Sequence, residues 1–184
     1  MLKTSILSTL LAFTLFFQAC SNDVDQNTNN MVSTNEYVLT AINNTQYIVK
    51  KEPNGFSVEN TQGKVIILDI FATWCPPCKA AASHLTSLQE KYKDNLVIIG
   101  ITIEEDIPNE KLQEFRKMYD AQYTLVNSKE NRRLVDDIAT NLEVGDRFPI
   151  PLMAMYLDGK LINHYVGAIE EEFIESDIKR ALGL

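Results

Sequence analysis

Leu68-Asp69-Ile70-Phe71-Ala72-Thr73-Trp74-Cys75-Pro76-Pro77-Cys78-Lys79 carries an apolar run straight into two cysteines separated by two prolines. The run begins at Val65 and is almost continuously apolar, as expected of a strand covered on both faces in a parallel sheet. Proline is accepted in the first turn of a helix, where backbone N–H groups have no partner within the helix. A helix is therefore predicted from Pro76 to about Tyr92, with Ala81, Leu85, Leu88 and Tyr92 on one stripe. Leu96 to Ile103 is a second apolar run, so the three segments form a βαβ unit.

A Cys-x-x-Cys at a strand-to-helix junction places its first sulfur at the helix N-terminus, where free N–H groups stabilise a thiolate. This makes Cys75 the candidate nucleophile and Cys78 the candidate resolving thiol, close enough to attack a mixed disulfide on Cys75. Pro76 and Pro77 remove two donors, which leaves Cys75 less acidic than the thiol of a strong oxidant. A zinc site would need two more ligands, and the chain offers only His84 and His164. A c-type haem attachment needs histidine after the second cysteine, where this chain has Lys79. A purely structural disulfide would close too small a loop to stabilise much. The expectation is a redox-active dithiol with no metal and no separate cofactor. Asp69 is the third candidate catalytic residue, because a carboxylate inside an apolar strand costs free energy unless it is paired or used. Burial would raise its pKa and let it exchange a proton with Cys78 through water; the competing reading is a strand-end carboxylate reaching solvent.

Outward from this centre, Glu36 to Ile42 and Thr45 to Val49 read as an N-terminal β-hairpin around Asn43-Asn44. A helix from about Asn109 to Tyr119 turns Leu112, Phe115 and Tyr119 inward, followed by a short strand at Tyr123 to Val126. Leu134, Val135, Ile138 and Leu142 mark a helix after Ser128. Leu152 to Leu157 and Lys160 to Val166, joined by Asp158-Gly159, form an antiparallel hairpin, and an amphipathic helix from about Ile169 to Leu182 ends the chain. Its Glu170, Glu171 and Glu172 at the start and Lys179 and Arg180 at the end match the helix dipole. The fold class is α/β, a central mixed sheet flanked by helices, with no internal repeat.

At 184 residues and 45% hydrophobic, the chain supports one well-buried domain. A net charge of -8 argues against nucleic acid, or an anionic membrane, as a partner of the folded surface. Lys3 and the apolar stretch Ile6 to Phe17 read as an export signal, too short to span a bilayer comfortably. Gln18-Ala19-Cys20 resembles a bacterial lipobox, which implies a signal peptide over 1–19 and lipidation of Cys20; an uncleaved signal anchor is the alternative. Residues 20–35 then form a disordered tether with a reach of roughly 20 Å, and 36–184 the domain. Of the three cysteines, Cys75 and Cys78 would be the only free thiols. The expected location is extracytoplasmic and membrane-anchored, on the periplasmic side in a Gram-negative cell.

The stretch Leu68 to Lys79 resembles the thioredoxin superfamily signature. Ile150-Pro151, with Leu152 to Tyr156 and Asp158-Gly159 behind it, resembles the family's cis-proline strand and hairpin, and Val166-Gly167-Ala168 its last strand. The similarity spans about Tyr37 to Leu184, and the leading hairpin and the helix inserted after Leu96 to Ile103 resemble the TlpA/ResA-like extracytoplasmic branch. The resemblance implies a thioredoxin-like fold in which Ile150 and Pro151 pair with a substrate chain as an added strand, with Trp74 and Pro76 at the docking surface. His84, His164 and Glu104-Glu105-Asp106 are left as surface polar groups, although the acids follow the C-terminal end of a parallel strand, the usual functional rim. The implied activity is a monomeric reductase that carries electrons from a membrane dithiol donor to disulfides of extracytoplasmic proteins, as relatives do for apocytochrome c during cytochrome c maturation. A disulfide-donating oxidase and a copper-delivery chaperone are the alternatives; copper-carrying relatives space their cysteines more widely and add a histidine.

Overall fold

Burial of all seven residues of β4 (Val65–Phe71) organises the molecule. The computed structural model describes residues 35–184; the expected signal peptide, Cys20 and nearly all of the tether lie outside the described residues. β4 is the middle of a five-stranded mixed sheet of order β6-β5-β4-β7-β8. It pairs in parallel with β5 (Leu96–Thr102) and antiparallel with β7 (Leu152–Leu157); β6 (Thr124–Val126) extends the parallel side and β8 (Lys160–Val166) the antiparallel side.

Alternation along β4 divides its side chains between two apolar layers. Val65, Ile67 and Phe71 pack with α1 (Pro76–Lys91), α2 (Asn109–Tyr119) and α4 (Glu171–Leu182). Ile66, Leu68 and Ile70 pack with α3 (Asn131–Asn141) and with a separate antiparallel sheet of β1 (Glu36–Thr40), β2 (Gln46–Glu52) and β3 (Gly55–Val58). A strand between two such layers has no solvent face, which is why its sequence shows no polar alternation.

The N-terminal piece is thus the expected hairpin, β1 with β2, extended by a third strand. β3 has only four residues, too few for an alternation to stand out, with Phe56 and Val58 buried, and Gly55 follows the turn at Pro53-Asn54. A Cβ on Gly55, whose φ is +152°, would lie 2.7 Å from the Tyr156 ring, so the strand starts where only glycine fits. α4 starts two residues later than expected, at Glu171, because Glu170 is extended at its N-cap with ψ 142°. The inserted helix α2 follows β5 as expected.

Candidate active site

Cys75 closes the turn after β4 and is the N-cap of α1, in an extended conformation with φ -80° and ψ 112°. Its amide donates to the Ala72 carbonyl at 3.2 Å, and its own carbonyl accepts from Lys79 N at 3.1 Å, so both sides of the residue are anchored. Cys75 and Cys78 form a disulfide with Cα atoms 5.3 Å apart. Pro76 and Pro77 fill the first two helical positions, and Cys78 N donates to Cys75 Sγ at 3.2 Å. Both cysteines are almost fully buried, whereas Pro76 and Trp74 beside them are exposed, Trp74 by 61%.

Residues distant in sequence complete the surroundings of the sulfurs. The Ile150–Pro151 peptide is cis, and the Ile150 carbonyl oxygen lies 3.6 Å from Cys75 Sγ. Pro151 O accepts from Gly167 N at 2.8 Å, tying this loop to the end of β8. Trp74, Ile103, Val135, Phe148 and Ile150 line an open pocket of about 260 Å³ next to the disulfide.

Asp69 lies on β4 between Gly100 of β5 and Met153 of β7 in the register of the sheet. It is 2% exposed and does not reach solvent. Its Oδ2 accepts from the Tyr123 hydroxyl at 3.2 Å, while Oδ1 has no partner among the described residues. Burial pushes the carboxyl up to about 7, and the Tyr123 hydrogen bond pulls it partly back. Tyr123 itself is held protonated by burial and by the adjacent acid.

Glu104 is the main correction to the surface reading of the acidic cluster. Thr73 donates to its carboxylate twice, from N at 2.6 Å and from Oγ1 at 2.9 Å, so Glu104 holds the turn that leads into Cys75. Glu105 and Asp106 are exposed. On the far side, the Lys79 ammonium lies 5.3 Å from the Tyr119 ring centroid and Phe115 packs on Phe71, which fastens α2 to the base of the site. His84 and His164 are half-buried on α1 and β8. Among the described residues no three His, Cys, Asp or Glu side chains cluster as a metal centre.

A cysteine pair at a helix N-terminus, at disulfide distance and under a cis-proline loop, defines a thiol-disulfide oxidoreductase with a thioredoxin-like fold. The chain belongs to the Redoxin family, whose model matches residues 32–182. It is 35% identical over 79 residues to Thioredoxin-1 of Drosophila melanogaster, covering 42% of this chain and 68% of that one. With the thiol-disulfide oxidoreductase ResA of Bacillus cereus it shares 26% identity over 132 residues, 70% of each chain. Among solved structures, a secreted disulfide oxidoreductase of Mycobacterium tuberculosis homologous to E. coli DsbE superposes with a TM-score of 0.56 at 17% identity, covering 80% of this chain and 97% of that one.

Proposed function

We propose that the protein reduces disulfides in extracytoplasmic proteins, with Cys75 as the attacking thiolate, Cys78 as the resolving thiol and Asp69 as the proton acceptor for Cys78. The observation that carries this direction is the single amide, Cys78 N, that donates to Cys75 Sγ. Prolines at the two preceding helical positions supply none. A less stabilised thiolate is a poorer leaving group, which disfavours the strongly oxidising end of the family's range. The client chain would lie along the Ile150–Pro151 loop, beside the Ile150 carbonyl, with Trp74 and Pro76 at its side. Electrons would come from a membrane dithiol, and a lipid on Cys20 would hold the protein near that donor. Apocytochrome c is the client class that the likeness to ResA favours. Equilibration against redox buffers tests the direction. A potential near the thioredoxin value of about -270 mV supports a reductase, and one near the DsbA value of about -120 mV overturns it.

A further inference from the structure

Among the described residues no cation accompanies the buried Asp69. Burial and Tyr123 account for its titration; Cys75 and Cys78, joined as a disulfide, lie in the buried layer on its side of β4, and Arg116 acts on Tyr123. Tyr123 is therefore the only group among the described residues that donates to this carboxylate.

The backbone of the segment carrying Tyr123 is fastened by three side-chain hydrogen bonds. Arg116 Nη2 donates to the Tyr123 carbonyl at 2.9 Å and its Nε to the Ala121 carbonyl at 3.2 Å. Gln122 N donates to Thr86 Oγ1 at 2.8 Å. The ring occupies space that a side chain at position 100 would claim: a Cβ on Gly100, the β5 neighbour of Asp69, would stand 3.0 Å from Tyr123 Cε2 and 2.8 Å from Leu125 Cδ2. Gly100 thus opens the slot and Arg116 holds the backbone behind it.

We propose that Tyr123 is a positioning residue of the redox centre: its hydroxyl fixes one oxygen of Asp69, leaving the other to take the proton of the Cys78 thiol. Oδ1 is that unpartnered oxygen, and Asp69 shares its side of β4 with Ile67 and Phe71, in the same buried layer as Cys78. In the step so served, the Cys78 S–H proton passes to Oδ1 and the thiolate attacks Cys75 Sγ. The bond between Cys75 and the client sulfur breaks, the Cys75–Cys78 disulfide forms, and the client sulfur leaves with the electron pair. The Tyr123 hydrogen bond favours the ionised carboxylate, so it keeps the acceptor unprotonated to lower pH.

The inference rests on Asp69 acting on Cys78. The test uses the full chain with Cys20→Ser, so that only two thiols react, and follows by stopped flow the two releases of 5-thio-2-nitrobenzoate from the reduced protein. The second release reports attack by Cys78. Tyr123→Phe is expected to move its pH midpoint upward by about half a unit, roughly a three-fold loss of rate below the midpoint. Asp69→Asn should flatten the profile, and Tyr123→Phe added to it should change nothing further. Incorporating 3-fluorotyrosine at position 123, which keeps the ring and strengthens the donor, should move the midpoint down and so serves if the phenylalanine variant does not fold. A flat response to both changes at position 123, with Asp69→Asn still active as described, overturns the role of Tyr123 alone. A profile unmoved by Asp69→Asn overturns the role of Asp69 as well.

Discussion

Asp69 is where one side chain couples redox chemistry to stability. Its folded-state pKa, about 7, lies above the ordinary 3.8, so between those values the folded protein holds a proton that the unfolded chain has released. Stability of the oxidised protein must therefore fall as pH rises from about 4 to about 7, by on the order of a few kcal/mol, and then level off. In denaturant titrations Asp69→Asn should be more stable than the parent at pH 8, and the difference should close below pH 4; equal pH dependence in both proteins would contradict this. Glu104 stabilises the fold through hydrogen bonds, since both its oxygens are used by the turn that delivers Cys75. Glu104→Ala leaves the Thr73 amide without its charged acceptor and should cost about 1–3 kcal/mol, whereas Glu104→Gln, which keeps an oxygen there, should cost less. Urea unfolding at pH 7 measures both, and an unchanged midpoint for the alanine variant would show the clasp to be idle. The placement of the cysteines, their prolines and the buried Asp69 was legible because they lie within one short stretch of strand, turn and helix. Tyr123 and Glu104 were not, because each meets that stretch from a residue 54 or 31 positions away, and a single chain carries no local mark of such a pairing.

Elements built on long apolar periodicity were read closely from the chain. β4, β5, α1 and α2 have enough buried residues that burial and spacing agree, and the hairpin of β7 and β8 announces itself by Asp158-Gly159. β3 escaped because four residues are too few for a period, and its place is set by a tertiary contact, Gly55 against Tyr156. The boundary of α4 moved for the related reason that Glu170 is extended while Gly167, at φ +83°, turns the chain ahead of it. The contact at Gly55 also predicts what joins the small sheet to the large one. A methyl group there must push on the Tyr156 ring, which packs edge-on against Phe56 at 5.7 Å, and would itself lie 3.1 Å from the Gly159 carbonyl oxygen. Gly55→Ala should therefore destabilise the protein by about 1–3 kcal/mol, with loss of hydrogen-exchange protection concentrated in β3 and its partner β2. Wild-type protection in β2 and β3 would show instead that the ring yields without cost.

For the whole molecule, the chemistry and the proposed attachment use separate parts of the chain. The groups around the disulfide, from Asp69 to Pro151, are held by the central sheet and the helices on it, whereas the proposed anchor is one thioether on Cys20. A protein of net charge -8 has no electrostatic adhesion to an anionic bilayer to fall back on. Membrane attachment through a lipid should accordingly resist high-salt washing and depend on a single sulfur. In a bacterial host that processes lipoproteins, the full chain should partition into the detergent phase, and Cys20→Ser should move it to the aqueous phase or block its processing. Reduction of a small soluble disulfide by the two purified proteins should proceed at the same rate, since no group near the sulfurs has changed. Reduction of a membrane-proximal client should fall, because the proposed lipid would no longer confine the enzyme near it. If the Cys20→Ser protein, with its signal segment removed, still sediments with membranes after salt washing, the attachment belongs to the folded surface, and its negative charge does not keep that surface off the bilayer.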